Sequence, residues 1–222
     1  NEQQAEVTQL RSDVDTDGRH ATIRPTTNWQ TDALRRDFTI NALYLDAEGS
    51  VHDFVGGLKD LEQGYLRFVG EAARRLQEDH LRLLRALRFL AYYPNFSMPD
   101  NDKLALYQHV HLLPVLSAER IAGELKRLMA GAAALPILRQ ASAMGVDQIL
   151  FGTSFSADIL GHPALKKLWR DLNFVQRLAC CLPIGKRAKA GRFLKLSRAE
   201  LRFLSSADQP VDRTLVAGGR SD

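Results

Sequence analysis

The sequence predicts an α+β protein that is mostly α. Three observations point there. Apolar–polar alternation with Gly- and Asp-containing turns is confined to residues 1–70. From residue 71 onward, apolar residues recur at helical spacing, and Pro94, Pro99, Pro114 and Pro183 fall between the helical stretches. Hydrophobic residues make up 45% of the 222 and charged residues 25%, enough for a sizeable core.

In chain order, residues 5–11 alternate and are β-prone, as does His20–Arg24. Between them Asp13, Asp15, Asp17 and Gly18 predict a mobile polar loop. This Asp-x-Asp-x-Asp-Gly spacing resembles the start of a calcium loop. The twelfth position is Arg24, however, where such a loop requires a glutamate, so calcium is excluded. Residues 29–36 predict a short helix that brings Arg35 and Arg36 to Asp37. Residues 41–46 and 50–54 predict a hairpin around Ala47-Glu48-Gly49. Gly56-Gly57 break it before a short helix ending at Gly64, and 65–69 alternate as a further strand. Helices are predicted over 72–92, 101–110, 117–130, 134–144, 162–181, 186–195 and 197–206. Ser117 and Ser197 are natural N-caps, and Gly131 and Gly145 stand where helices stop. The tail after Gln209 carries little pattern.

The helix around which the chain is organised contains Glu78-Asp79-His80-Leu81-Arg82-Leu83-Leu84-Arg85-Ala86-Leu87-Arg88-Phe89. Leu83, Leu84, Leu87 and Leu90 form one apolar stripe, and Glu78, Arg82 and Arg85 lie opposite. Asp79 and Arg88 flank the stripe. Arginines at three-residue steps repel one another, and only Glu78 and Asp79 are near enough to compensate. Glu78 and Arg82 form an i,i+4 pair in the better orientation. Asp79 and Arg82 set an acceptor beside a fork of donors, which is a recognition surface. An ordinary solvated helix face is the default for such a pattern, and the repelling arginines with their two nearby acids argue against it.

Four segments in order resemble motifs of the class II tRNA nucleotidyltransferases, the CCA-adding enzymes, and the bacterial poly(A) polymerases share most of them. Arg35-Arg36-Asp37-Phe38-Thr39-Ile40-Asn41-Ala42 resembles the ribose- and phosphate-binding motif. Asp53-Phe54-Val55-Gly56-Gly57-Leu58-Lys59-Asp60-Leu61 resembles the hinge motif. Glu78-Asp79-x-x-Arg82, with Arg85 and Arg88, resembles the nucleotide-selecting motif. Ser117-Ala118-Glu119-Arg120-Ile121-Ala122-Gly123-Glu124-Leu125 resembles the motif that buttresses the selecting helix. The resemblance implies nucleotide-binding roles for Arg36, Asp37, Asn41, Asp79, Arg82, Arg85 and Arg88. It implies supporting roles for Glu78, Arg75, Glu119 and Arg120. Asp37 and Asn41 fit a local turn as well as a ribose contact. The family's metal ligands, on a Gly-Gly-x-Val-Arg-Asp segment and an Asp-x-Asp strand, are not in this sequence. Magnesium ligands are therefore expected in a preceding segment, and these 222 residues alone are expected to be inactive.

The resemblance further implies a partial nucleotidyltransferase head over 1–70, a helical neck over 71–145 and a helical, tRNA-binding body over 146–222. The implied partners are tRNA, CTP and ATP, and the implied function is template-independent addition of C, C and A to tRNA 3′ ends. A poly(A) polymerase and a non-catalytic RNA-binding homologue remain the alternatives. Net charge is only +4, yet Lys166 to Arg202 holds eleven Lys or Arg against Asp171 and Glu200. Within it Lys166, Lys167, Lys186, Arg187, Lys189 and Arg192 are expected to contact tRNA phosphates, with a solvated face as the equal alternative. His52, His80, His109 and His111 lack the spacing of a metal site. Cys180 and Cys181 are adjacent, which favours reduced thiols and a cytoplasmic setting. No run of about eighteen apolar residues suggests a membrane span.

Overall fold

The computed structural model describes residues 9–16 and 21–209. Strand β1 (Arg11–Thr16) pairs antiparallel with β2 (Ala21–Pro25), with a register shift between Asp13 and Asp15. The expected loop thus begins as strand. The shift leaves one extra residue, Val14, without a partner in the register. Most of the strand expected over 5–11 lies outside the described residues.

Helix α1 (Trp29–Leu34) starts at Asn28, whose side chain accepts from the Thr31 N–H at 3.0 Å. A single 3-10 turn (Thr39–Asn41) leads into the hairpin of β3 (Leu43–Leu45) and β4 (Val51–Asp53), paired Leu43–Asp53, Tyr44–His52 and Leu45–Val51. Asp53 then closes the start of α2 (Gly57–Gln63). Its carboxylate accepts from the N–H groups of Val55, Gly56, Gly57 and Leu58 at 2.9–3.1 Å. A Cβ on Gly57 would stand 2.2 Å from the Thr39 carbonyl oxygen, so the segment resembling a hinge is packed backbone to backbone. The strand expected over 65–69 is only two isolated bridges, Phe38–Phe68 and Tyr65–Ser97. The Asp102 carboxylate takes the Phe68 N–H at 3.0 Å, which removes one donor from any continuous ladder.

The helix expected over 72–92 is two helices, α3 (Ala72–Glu78) and α4 (Leu81–Tyr92). Asp79 breaks them apart with an extended backbone, φ −149° and ψ 105°. Its carboxylate accepts from the Leu81 N–H at 3.1 Å, so a short acidic side chain competes with the helical ladder. The following elements are α5 (Asp100–His109), a 3-10 segment (Val110–Val115) that includes Pro114, α6 (Ala118–Ala130), α7 (Ala134–Ala143) and α8 (Val146–Phe151). The helix expected over 162–181 is also divided. It becomes α10 (Pro163–Leu168), preceded by α9 (Ala157–Gly161), and α11 (Phe174–Cys181), which Asn173 and Gln176 start with a reciprocal capping box. Helices α12 (Arg187–Phe193) and α13 (Arg198–Ala207) complete the described chain.

Helix α4 is the spine. Leu83, Leu84 and Leu87 are at most 1% exposed, and α4 packs on α6 and α7. Ile121, Leu125 and Leu128 of α6 and Leu138 of α7 join the same core, which runs from Phe38 to Leu204. Each of these side chains contributes about 1.5–3 kcal/mol by leaving water. At the end of α6, Gly131 lies so near α4 that a Cβ would meet the Ala91 carbonyl at 2.6 Å. The polar face of α4 is therefore held facing the 35–41 segment.

Candidate functional site

Burial of one carboxylate organises the first side of the site. Asp32 is fully buried in α1 and accepts from the Arg11 N–H at 2.9 Å, the Tyr44 hydroxyl at 2.8 Å, Arg35 Nε at 2.9 Å, and Arg36 Nε and Nη2 at 2.9 and 2.7 Å. Burial alone would raise its pKa. The Arg11 N–H, Tyr44, Arg36 and Arg35 outweigh that and hold it well below the usual carboxylate range. Burial and the bond to Asp32 push the Tyr44 phenol up to about 12. Neither Asp32 nor Tyr44 stood out in the sequence. The i,i+3 and i,i+4 spacing of Asp32 to Arg35 and Arg36 was the available signal.

The second side comes from the break between α3 and α4. Glu78 accepts from Arg75 Nη1 at 2.6 Å and Arg82 Nη1 at 2.8 Å. Burial would raise the Glu78 carboxyl, but Arg82 and Arg75 reverse the sign and lower it. Arg82 also donates to the carbonyls of Arg75 at 2.9 Å and Arg35 at 3.1 Å, while Arg75 donates to the Val69 carbonyl at 2.7 Å and to that of Leu34. Arg75 of α3 and Arg82 of α4 thus clamp the junction of these two helices to the end of α1. The expected Glu78–Arg82 pair is present.

Asp79 does not pair with Arg82. Both its oxygens accept from Arg120 Nη2 of α6, at 3.0 Å each. Asp37 likewise turns to protein partners: it accepts from the Phe38 N–H and Asn41 Nδ2 at 2.9 Å and from Arg85 Nε at 2.7 Å. Asp37 and Asn41 therefore close the local turn, and Arg85 is anchored through Asp37.

Arg35, Arg36, Asp37, Asn41, Asp79, Arg82, Arg85 and Arg120 with Leu81 line one open cleft of about 440 Å³. Five arginines and two aspartates line it, and Asp32 and Glu78 stand directly behind Arg35, Arg36 and Arg82. The wall therefore offers many fixed guanidinium donors on a small net positive charge, suited to an anion beside a polar, flat group. Two expected members are elsewhere. Arg88 turns away to Glu124 at 3.1 Å, a 1%-exposed carboxylate on α6 that also accepts from Arg127 at 2.6 Å. Glu119 is exposed and pairs with Lys195 at 2.7 Å. Among the described residues no group of three or more His, Cys, Asp or Glu could hold a metal ion.

The basic set divides. Lys166 and Lys167 lie on a second cleft of about 1030 Å³ with Arg170, which belongs to the same basic run, and Arg139, which lies outside it. Lys186, Lys189 and Arg192 are exposed on and before α12. Arg187 is not available in the same way. It is half-buried and donates to the carbonyls of Leu182, at 3.2 Å, and Ala207, so it fastens α13 to the body. No helix among the described residues is long and apolar enough to cross a membrane.

Residues 1–67 match the Poly A polymerase head domain family. The CCA tRNA nucleotidyltransferase 1, mitochondrial, of Danio rerio is 40% identical over 172 residues, 76% of this chain and 39% of the fish protein. The CCA-adding enzyme of Bacillus licheniformis is 36% identical over 149 residues, 66% of this chain and 37% of its own. The chain thus spans well under half the length of these relatives. The crystal structure of the Bacillus stearothermophilus CCA-adding enzyme in complex with CTP superposes with a TM-score of 0.76 at 24% identity, covering 96% of this chain and 52% of that one. That match establishes a common fold.

Proposed function

We propose, from the match of residues 1–67 to the Poly A polymerase head domain and the similarity to CCA-adding enzymes, that the protein is a member of that family and adds C, C and A to tRNA 3′ ends from CTP and ATP without a template. The observation that supports this most is the cleft in which Asp79, Arg82 and five-arginine charge meet. A triphosphate needs several fixed cations, and Arg36, Arg82 and Arg85 are held in place by Asp32, Glu78 and Asp37. Cytosine and adenine each present an amino donor beside a bare ring nitrogen. Ionised Asp79 only accepts and Arg82 only donates, so the pair matches C and A and opposes U and G. In this reading a nucleobase takes up the face of Asp79 now shared with Arg120.

Residues 1–70, 71–145 and 146–222 would serve as head, neck and body, with tRNA phosphates on Lys166, Lys167, Lys186, Lys189 and Arg192. Magnesium, which the family resemblance implies, would supply activation of the RNA hydroxyl. It has no ligand set among the described residues, so the 222-residue chain alone is proposed to hold nucleotide without transferring it. Free Cys180 and Cys181 fit a reducing compartment such as the cytoplasm.

The test is incubation of the intact protein with tRNA ending before CCA and each nucleotide alone, then together. Incorporation of two C from CTP, and of one A only once CTP is also present, supports the proposal. Long A tracts from ATP alone would instead identify a poly(A) polymerase. No incorporation at all would leave an RNA-binding homologue.

A further inference from the structure

Beyond the charged cleft, the same face of α4 changes chemistry. At about 100° per residue, Arg82, Arg85, Phe89, Tyr92 and Tyr93 fall within about 100° of arc. Arg82 and Arg85 line the charged cleft. One to three turns further, Arg88, Phe89, Tyr92 and Tyr93 line a smaller groove of about 210 Å³ with no acidic residue in its wall. Tyr92 and Tyr93 are each 46% exposed. The surroundings of Tyr93 are aromatic: Phe89 and Tyr93 are stacked at 6.0 Å and 18°, and Tyr93 meets Phe96 at 5.1 Å.

Arg88 adds the second feature. Its guanidinium lies over the Phe89 ring at 4.9 Å from the centroid. Although Glu124 stands 3.1 Å away, neither Arg88 Nε nor Glu124 Oε2 makes a properly directed hydrogen bond among the described residues. Arg88 is thus a mostly buried cation, ion-paired to Glu124, that caps the edge of an exposed aromatic wall, and such a wall is matched to a flat, polarisable group.

We infer that Arg88, Phe89, Tyr92 and Tyr93 form a stacking subsite for an unpaired base at the 3′ end of the acceptor RNA. This goes beyond the nucleotide-selecting role and rests on the proposed function for the identity of that RNA. The groove lies along one helix from the charged cleft, with about 15 Å from Arg82 to Tyr92. A single-stranded end emerging from a bound tRNA and pointing at the cleft can therefore lay a base against the rings. Aromatic faces accept any base, and the Arg88 guanidinium, held over Phe89, adds positive charge at the edge of the wall. The subsite would fix the approach of the 3′ end without reading its sequence.

The test uses the intact protein and RNA hairpins that carry either a blunt end or a three-nucleotide single-stranded 3′ end, with affinity measured by fluorescence anisotropy. The variants are Tyr92→Ala/Tyr93→Ala and Tyr92→Phe/Tyr93→Phe, with thermal unfolding recorded for each. Both tyrosines are exposed, so the fold is expected to survive. For the wild type, the single-stranded end should tighten binding. The alanine pair should remove roughly ten- to a hundredfold of affinity for the overhang RNA, leave the blunt hairpin and the affinity for CTP unchanged, and be rescued by the phenylalanine pair. An unchanged overhang affinity, an equal loss on blunt RNA, or tyrosines shielded from solvent by another part of the intact protein would overturn the inference. The readout is binding, so a protein that adds no nucleotide would sink the proposed function while this assay still decides the subsite.

Discussion

Replacing Asp32 with Asn keeps the side chain's shape and removes the charge on which Arg35 and Arg36 converge. The amide oxygen can keep the Arg11 N–H and Arg35, both of which bond one carboxylate oxygen at 2.9 Å. The amide nitrogen then stands donor to donor against Arg36, whose Nε and Nη2 now reach the other oxygen at 2.9 and 2.7 Å. Tyr44 can turn its hydroxyl to accept instead. The net loss is the pair of charged bonds to Arg36. Such bonds are worth about 1.5–3 kcal/mol when buried. The Arg36 side chain is 38% exposed and regains water, so a total near 2 kcal/mol is expected, after discounting for screening. For a chain of this length that is a fall in Tm of about 4–8 °C.

The assay is thermal unfolding followed by circular dichroism as a function of pH. The folded Asp32 carboxyl is depressed below its unfolded value. Its stabilisation is therefore complete above the unfolded value of about 3.9 and is lost as pH falls through the lower, folded one. The difference between wild type and variant should be full at pH 7, persist to about pH 4, and shrink in stronger acid. A difference at pH 7 under about 1 °C, or one that is the same in strong acid, would show that the charge does not hold Arg36.

Gly131→Ala should lower stability by about 1–3 kcal/mol, read in the same way, because its Cβ would meet the Ala91 backbone at 2.6 Å and that backbone is fixed in α4; unchanged unfolding would mean that α6 shifts freely. Asp79→Asn in the intact protein should let UTP or GTP gain roughly ten- to a hundredfold against CTP and ATP, since about 1–3 kcal/mol of discrimination rests on a matched pair. Unaltered selectivity with slightly lower stability would reduce Asp79 to a cap for Leu81 and a partner for Arg120. Reversing Lys166, Lys167 and Arg170 to Glu should weaken tRNA binding and flatten the slope of log affinity against log salt by about 0.9 for each duplex phosphate no longer neutralised. Arg187→Glu should chiefly loosen α13 and lower Tm. An intact salt slope in the triple variant would return the second cleft to an ordinary solvated surface.

Elements whose determinants are local were legible in the sequence. Helix α6 has its Ser117 cap and its stop at Gly131, α13 has the Ser197–Glu200 capping box, and α2 ends on Gly64 with a left-handed backbone. The apolar stripe of α4 was equally readable, and its leucines are buried. What failed was decided at long range. No Gly or Pro marks the break at Asp79; the residue is drawn out of helix by the Leu81 N–H and by Arg120, 41 positions away. Arg88, expected at the nucleotide site, pairs instead with a buried carboxylate, Glu124, on another helix. The break inside 162–181 is a different kind of miss, since the Asn173–Gln176 box is local and readable from the residues themselves. Grouping Arg187 with the other body cations ignored that one basic residue in such a run can be a fastener.

The arrangement of arginines explains why so much charge can stand in one place. Five guanidiniums around one cleft repel, and flexible side chains would splay into water. Here Arg35 and Arg36 share Asp32, Arg82 is held by Glu78 and two carbonyls, Arg85 by Asp37, and Arg120 by Asp79. Asp32 and Glu78 do not line the cleft, so they orient the cations from behind without competing for a ligand's hydrogen bonds, although they offset part of the positive field. Asp79 is the exception, being both in the wall and 34% exposed. A carboxylate at the rim of a cationic cleft weakens its grip on phosphate, so its placement there costs affinity unless it contacts something that donates. That is the physical reason to assign it to a base amino group, with Arg120 as the donor that keeps it satisfied until one arrives.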